Sequence, residues 1–319
     1  MSAVKSVQGA RAETVGRPGL YRASRWSRFR ANLAGFAFIS PWVLGYLAFT
    51  VFPFVASFVL SMTVYDIGSP PAFIGLKNFT HMFTADGKFA MSIRVTFLYA
   101  FMVVPATTVL AVGTALLLNQ KVRGIPFFRT AFYIPAMVSS IGWLLLWTYI
   151  LQKQGALNWA LAKIGIEGPA YLYDKNWALP ALAMMELFSV GSSMLVALAA
   201  LQGVPEYLYE ATDMDGGGEW AKFWHVTLPM ISPALFYNVT MSFIGVMQTF
   251  AKGYIMTEGG PRDRTLFYAL YLYNNAFWYN RMGYACALAW VLFVIILIIT
   301  ALNFLGGRYW VFYESEGAG

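Results

Sequence analysis

The sequence predicts an all-α, polytopic membrane protein with six transmembrane helices, from its composition and from the spacing of its charges. Of its 319 residues, 59% are hydrophobic and only 12% are charged, whereas an average soluble domain carries roughly 25% charged residues. Five stretches of 23 to 35 residues contain no charge, and about 20 apolar residues suffice to span a bilayer as a helix. This pattern excludes a soluble enzyme and a disordered chain. The single cysteine, Cys286, excludes a disulfide scaffold.

The uncharged stretches place the spans in order along the chain. They are expected near residues 33–61, 92–118, 130–151, 178–202, 229–256 and 284–305. The fourth is the least regular, because Glu186 interrupts it. Between the third and fourth spans, Leu157, Leu161 and Ile164 give residues 155–164 one apolar side. We expect this segment to form a short helix lying on the membrane face.

The basic residues indicate the orientation of the chain. Residues 1–30 contain seven Lys and Arg and one Glu, which is a net charge of +6 out of the +7 of the whole chain. A basic segment before the first span is typical of a cytoplasmic N-terminus that contacts lipid headgroups, so the charge does not indicate nucleic-acid binding. Because the number of spans is even, both ends lie on one side. We therefore expect a cytoplasmic tail at 1–32, a membrane domain at 33–306 and a cytoplasmic tail at 307–319.

The loop at 203–228 departs from this charge rule, because it carries five acidic residues and one lysine on the expected cytoplasmic side. Three of the acids recur at i, i+4 and i+7 and so share one helical face: Glu206, Glu210 and Asp213. The three glycines from Gly216 to Gly218 end this helix, and a second short helix is expected from Glu219 to His225. An acidic helix–turn–helix gains nothing from anionic lipid, and it indicates a basic protein partner.

The same loop carries a resemblance to a known family. Glu210-Ala211-Thr212, three residues, Gly216, nine residues and then Val226-Thr227-Leu228-Pro229 resemble the EAA loop of binding-protein-dependent ABC importer permeases. Thr212 stands where the family has a second Ala, and Val226 stands where it has Ile. Further segments resemble the carbohydrate-uptake branch of the family, in the same order along the chain: residues 40–42, 75–79, 128–135, 199–205, 259–261 and 281–285.

The resemblance implies a permease with the type I ABC importer fold, in the cytoplasmic (inner) membrane of a bacterium or archaeon. Such a permease pairs with a second, homologous permease, and each forms half of a translocation path. Two ATPase subunits dock on the EAA loops, and an external solute-binding protein delivers the solute, which in this branch is a sugar or an oligosaccharide. ATP and Mg²⁺ would be bound by the partner ATPase, so this chain would have no cofactor and no enzymatic activity.

The resemblance also implies roles for residues of the loop. Glu210 would meet a basic residue of the ATPase, and Gly216 would be the turn glycine. The residues expected to couple to the ATPase are Glu206, Glu210, Ala211, Asp213, Asp215, Gly216, Leu228 and Pro229.

Candidates for the solute path follow from burial. A carboxylate inside a span usually faces a cavity or a polar partner, and Glu186 is such a residue. The other candidates share its helical face or lie on the fifth span: Ser189, Ser193, Asn238, Ser242 and Gln248. Each of these is equally able to make a structural hydrogen bond between helices. A carboxylate in the path would repel an anionic solute, which favours a neutral sugar.

Three alternatives stay open at this point. The same architecture could import glycerol phosphate, a polyamine or another small solute, and would then differ only in its cavity chemistry. A self-sufficient secondary transporter would need internal repeats and ion-coupling carboxylates near broken helices, and Glu186 is the one candidate for that role. A membrane enzyme would need clustered acids or histidines, and the sequence contains no metal-spaced His or Cys set and no nucleophile–base pair.

Overall fold

The structure is a computed structural model that describes residues 25–312. Residues 1–24 and 313–319, which hold most of the two expected tails, lie outside the described residues. Between residues 25 and 312 the chain forms fourteen α-helices, four π-helical turns and one hairpin of two-residue strands, β1 (Thr63–Val64) and β2 (Ala72–Phe73). The π-helical turns are Leu47–Val51, Phe223–Thr227, Gly253–Thr257 and Asn274–Trp278. The helices are α1 (Arg25–Tyr46), α2 (Phe52–Ser61), α3 (Lys77–Thr84), α4 (Gly87–Leu118), α5 (Ile125–Met137), α6 (Ser140–Leu151), α7 (Ala156–Lys163), α8 (Ala178–Leu187), α9 (Gly191–Gln202), α10 (Glu206–Met214), α11 (Glu219–Lys222), α12 (Leu228–Met247), α13 (Tyr268–Tyr273) and α14 (Met282–Trp310).

The helical segments account for up to six membrane crossings. Four are long and apolar enough to cross a membrane: Phe36–Ser61, Gly87–Leu118, Glu219–Met247 and Met282–Trp310. The last of these continues past the expected end at residue 305. Two bent pairs also qualify if each pair counts as one span: Ile125–Met137 with Ser140–Lys163, and Ala178–Leu187 with Gly191–Gln202. The predicted all-α, polytopic class is confirmed.

The chain divides into two compact units between Ala56 and Ser57. The described part of the first unit, residues 25–56, is helical, and large apolar side chains in it are exposed, as at Phe38 (88%) and Phe49 (84%). Within it the Trp42 ring stacks on the Tyr46 ring, with centroids 5.6 Å apart. Exposed apolar side chains on a helix of this length are those expected of a segment that faces lipid.

The third predicted span is not a continuous helix but a bent pair. The two parts of this segment meet at 96°, because Val138 and Ser139 take extended backbone, with ψ of 140° and 130°. The predicted short helix at 155–164 is confirmed as α7.

The fourth and fifth predicted spans also differ from straight helices. The fourth bends by 43° after Leu187. At this bend the amides of Phe188 and Ser189 donate to carbonyls three residues back, at 3.2 and 2.9 Å. The fifth helix ends at Met247, well before residue 256, since Gln248 also donates to a carbonyl three residues back. Such tighter turns interrupt the α-helical hydrogen-bond ladder and redirect the chain.

Within the second unit, α4 packs against α8, α9 and α12 and joins two buried apolar clusters. The first cluster ends on α4 at Val104, and the second begins at Ala111. Neither cluster has a fully buried member in 105–110 on α4, 186–193 on α8 and α9, or 236–245 on α12, where Val239 and Phe243 are partly buried and pack against the first cluster. These three segments therefore lie at one level of the bundle, between the fully buried parts of the two clusters.

The start of α4 is fixed by one carboxylate. The Oδ1 of Asp86 accepts hydrogen bonds from the amides of Lys88 and Phe89 at 3.0 and 3.1 Å, which caps the helix. Its Oδ2 accepts hydrogen bonds from the hydroxyls of Tyr271 and Tyr284, both at 2.5 Å. Burial raises the pKa of Asp86, but these hydrogen bonds outweigh it and hold the pKa below its ordinary value. Asp86 thus ties α13 and α14 to the beginning of α4.

Candidate functional site

A cavity with both polar and apolar side chains on its walls occupies the level between the two apolar clusters. It encloses about 290 Å³ and adjoins a second space of about 480 Å³. We call the two spaces together the central cavity. Polar side chains from α4, α8, α9, α12 and the segment after α12 line it: Thr107, Glu186, Ser189, Ser193, Ser242, Gln248, Thr249 and Lys252. The bend after α8 turns the Glu186 side chain and the start of α9 towards the same space.

Glu186 is part of a charged network in this cavity. Its Oε1 forms an ion pair with the Nζ of Lys252, and the hydroxyl of Tyr99 lies 3.5 Å from the same oxygen. The Lys252 Nζ also lies 5.7 Å from the centroid of the Tyr99 ring. The side chains of Glu186 and Lys252 are 22% and 24% exposed, and Tyr99 is fully buried. Removing a charge from water costs several kcal/mol unless it is paired. The ion pair therefore explains how Glu186 and Lys252 can both be charged in a mostly buried position.

The structure brings five of the six predicted path residues to the central cavity: Glu186, Ser189, Ser193, Ser242 and Gln248. Asn238 is placed elsewhere. It is 6% exposed, and its Nδ2 donates to the backbone carbonyl of Ser193 at 3.0 Å. Asn238 therefore makes a hydrogen bond that holds α12 to α9.

Sequence reasoning missed Lys252 and Thr107. Lys252 stood within the predicted fifth span, so the signal was present: a lysine at bilayer depth implies a carboxylate nearby. Thr107 gave no such signal, because threonines commonly bond to their own helix, as the Thr107 hydroxyl does to the carbonyl of Val103 at 2.8 Å. Since Lys252 compensates the charge of Glu186, the preference for a neutral solute over an anionic one loses its basis.

The acidic loop folds as a helix, a glycine turn and a second helix. The first helix is α10. The second begins with α11, but it does not end near His225 as predicted. It continues through the π-helical turn Phe223–Thr227 into α12, because the amide of Leu228 donates to the carbonyl of Phe223. One helical segment, Glu219–Met247, thus connects the loop to the level of the cavity.

The turn between α10 and α11 needs glycine at two of its three glycine positions. Gly216 has a φ of +79°, a conformation that other residues avoid. A Cβ on Gly217 would lie 2.7 Å from the Cγ2 of Thr212. The amides of Gly216 and Gly217 donate to the carbonyls of Asp213 and Thr212 at 3.0 and 2.9 Å. These bonds close the end of α10 and fix the angle at which α11 leaves.

A groove of about 600 Å³ runs between the loop and the end of α4. Four acidic side chains line it: Glu206, Glu210, Asp213 and Glu219. The Lys222 Nζ forms ion pairs with Asp213 Oδ1 and Glu219 Oε1, both at 2.9 Å, and Glu206 Oε1 lies 3.4 Å from Lys121 Nζ. Among the described residues, the carboxylate of Glu210 has no ion-pair partner. We call this feature the acidic groove.

Large apolar side chains are exposed near the acidic groove, namely Tyr207 at 62%, Met214 at 89% and Trp220 at 74%. Exposed apolar groups around a charged centre are typical of interaction sites. The remaining predicted coupling residues lie in the same region: Ala211 and Asp215 are exposed, and Leu228 and Pro229 begin α12.

In the described part of the chain, no group of three His, Cys, Asp or Glu could hold a metal ion.

Comparison with known proteins places this arrangement in a family. The profile of the family described as "Binding-protein-dependent transport system inner membrane component" matches residues 107–308. The chain is 42% identical over 289 residues to "Probable ABC transporter permease protein YesP" of Bacillus subtilis (strain 168), covering 89% of this chain and 94% of that relative. It is 32% identical over 295 residues to "Sulfoquinovosyl glycerol transport system permease protein SmoG" of Agrobacterium fabrum, covering 89% and 93%.

A solved structure shares the fold. A chain of the crystal structure of a bacterial alginate ABC transporter, in complex with an alginate pentasaccharide-bound periplasmic protein, matches with a TM-score of 0.77 at 20% identity, covering 89% of this chain and 97% of that one. The profile covers most of the chain, including the acidic groove and the central cavity. The chain therefore belongs to the binding-protein-dependent ABC transporter permeases of the carbohydrate-uptake family, and it is the multi-pass inner-membrane component rather than the ATPase.

Proposed function

We propose that this chain forms half of the translocation path of an ATP-driven importer for a sugar or an oligosaccharide. The observation that carries the proposal is the acidic groove, in which the carboxylate of Glu210 is exposed and lacks an ion-pair partner among the described residues. A charge left unpaired at the surface is available to a basic group of another protein, where it contributes orientation and specificity. In this proposal that protein is the ATPase subunit.

The continuous helical segment supports a mechanical link between the groove and the cavity. It starts at Glu219 beside the acidic groove and carries Ser242 into the central cavity. The hydroxyls of Tyr209 and Thr227 lie 3.1 Å apart, which joins α10 to the same segment. Closure of the ATPase dimer on ATP would move α10, and the segment would transmit this movement to the cavity walls. A rigid-body shift of this kind switches the cavity between its inward-open and outward-open states.

The chemistry of the central cavity supports a polyhydroxylated solute. Its walls combine serine and threonine hydroxyls, the Gln248 amide and a compensated ion pair. Such groups donate and accept hydrogen bonds without imposing a net charge on the solute. The named solute of SmoG, sulfoquinovosyl glycerol, and the alginate of the structural relative are both saccharides. We therefore propose that the solute of this chain is a saccharide, and we assign no individual sugar.

The proposal includes the partners and the orientation expected for such an importer. A second, homologous permease would complete the path, two ATPase subunits would bind ATP and Mg²⁺, and an external binding protein would deliver the solute. The N-terminus and the C-terminus would both be cytoplasmic, because the acidic groove must face the ATPase and an even number of spans returns the chain to the same side.

The test is co-purification from the native membrane. The affinity-tagged chain is expected to retain an ATPase, and Glu210→Arg is expected to lose it, because the reversed charge repels the basic group that it should meet. Glu167→Arg, which reverses an exposed charge outside the loop, is the matched control and should retain the ATPase. Retention of the ATPase by Glu210→Arg would contradict the proposed contact. Sugar uptake into liposomes by this chain alone would contradict an ATP-driven importer and favour a secondary transporter.

A further inference from the structure

An aromatic pocket lies at the end of the bundle opposite the acidic groove. The α12 helix leads there from the loop over 20 residues, which is about 30 Å at 1.5 Å per residue. The pocket encloses about 410 Å³ between the turn after α12 and the segment after α13. Tyr254, Glu258, Asn274, Trp278 and Tyr279 line it. We call it the outer pocket.

The outer pocket combines exposed rings with hydrogen-bonding groups. Trp278 is 68% exposed and Tyr279 51%, so their ring surfaces are open to a ligand, while Tyr254 is 37% exposed and stacks on Phe250. The carboxylate of Glu258 and the amide of Asn274 stand beside these rings. Glu258 is exposed and has a φ of +50°, a conformation in which glycine is the usual residue.

The rings of the outer pocket continue towards the central cavity. Phe250, which lines the cavity, stacks on Tyr254 with centroids 5.2 Å apart and planes inclined by 18°. Phe250 also contacts the Tyr273 ring at 4.8 Å, and Tyr273 contacts Phe277 at 4.9 Å. A run of aromatic surface thus joins the two spaces.

We propose that the outer pocket is a saccharide subsite, in which one pyranose ring rests before it enters the central cavity; this inference rests on the proposed import of a sugar. The apolar C–H face of a pyranose matches the flat surface of an indole or phenol ring. Its hydroxyls match a carboxylate that accepts, an amide that does both, and phenol groups at the ring edges. The pocket volume of about 410 Å³ lies within the range of about 300–1,000 Å³ that is usual for small-molecule sites and leaves room for one sugar unit.

A membrane-interface belt is the other use of exposed Trp and Tyr. A belt ring faces lipid headgroups and does not need a concave space. In the outer pocket the rings surround one space together with a carboxylate and an amide, and both of these groups require water or a polar ligand. The concave, mixed lining favours a soluble saccharide over lipid.

The test measures saturation transfer by NMR from the purified chain in nanodiscs to methyl α-D-glucopyranoside and methyl α-D-galactopyranoside. We expect transfer to the ring C–H protons, with binding about tenfold weaker in Trp278→Ala, because one stacking surface is lost. Trp278→Phe keeps an aromatic ring and should retain most of the binding. Trp159→Ala removes a comparably exposed tryptophan, 65% exposed on α7, and should leave binding unchanged.

Two binding results would overturn the subsite, and one uptake result would do so independently. One is the absence of transfer from wild type to either glycoside. The other is equal binding by wild type and Trp278→Ala. An uptake assay with the complete transporter distinguishes failure of the outer pocket as a subsite from failure of the proposed import of a saccharide. Saccharide uptake with an unchanged KM in Trp278→Ala would remove the outer pocket from the path while the importer proposal stands.

Discussion

Glu186 and Glu210 are the same residue type in two different regions of one chain. Glu186, in the central cavity, is 22% exposed and is paired with Lys252 beside the buried Tyr99. Glu210, in the acidic groove, is exposed, and its carboxylate has no ion-pair partner within the described part of the chain. Asp213 and Glu219 in the same groove share Lys222. Lysines therefore compensate some of the acids in the groove, and Glu210 is left without an ion-pair partner among the described residues.

The difference follows from solvation. At bilayer depth an uncompensated charge is costly, so the fold must supply a partner from its own chain. At the surface, water solvates the carboxylate, and an internal ion pair adds little stability. A surface acid can therefore stay unpaired at little cost and be offered to another protein. We expect substitutions in the cavity to affect folding, and substitutions in the groove to affect assembly.

The largest effect is expected from Lys252→Met. This change leaves the Glu186 carboxylate in the cavity without its cation. We expect a loss of about 3 kcal/mol in the free energy of unfolding, the lower end for a buried pair, because the two side chains keep 22% and 24% of their surface exposed. Thermal unfolding of the purified chain in detergent measures the loss. The double variant Glu186→Gln with Lys252→Met removes both charges and should recover most of it. Equal stability of the wild type, the single variant and the double variant would show that Glu186 does not need Lys252 for the fold to be stable.

A second, smaller effect separates a structural polar residue from a path residue in the cavity region. Asn238→Ala removes the hydrogen bond to the carbonyl of Ser193 and should cost about 1–2 kcal/mol of stability, with the KM for uptake unchanged. Ser242→Ala, on the cavity wall, should raise the KM with stability changed by no more than about 0.5 kcal/mol. Unfolding and uptake assays on both variants measure this contrast, and the reverse pattern would contradict the assignment.

The smallest effect is expected in the turn of the acidic groove. Gly216→Ala forces an L-residue to a φ of +79° in open space, so its cost is backbone strain alone, about 1 kcal/mol. Gly218→Ala is the matched control, because its φ is −82° and no atom lies within 4 Å of the added Cβ. Hydrogen exchange of the α10 amides should be faster in Gly216→Ala only. Equal exchange in both variants would mean that the turn does not hold α10.

Much of this architecture is predictable because a bilayer imposes simple rules. A segment that crosses hydrocarbon must be apolar for about 20 residues, so the uncharged stretches located the spans. The helix–turn–helix was predictable because Gly216 and the spacing of the acids are local features. The bends were not. Pro105 and Pro233 lie inside continuous helices. The bend at 188–190 contains no proline, and Pro135 lies inside α5 three residues before the bend at 138–139. The position of a proline therefore does not by itself predict where these helices bend.

Hydropathy and residue spacing were enough to predict the helical membrane class, the position of the acidic loop and five of the polar residues that line the central cavity. The contacts between distant helices then showed how the polar residues are used. The tertiary structure brought Lys252 to Glu186, turned Ser242 towards the cavity and gave Asn238 a structural bond. The physical reason is that hydropathy and helical spacing are properties of a local segment, while the pairing of a buried charge depends on which distant helix the fold places beside it.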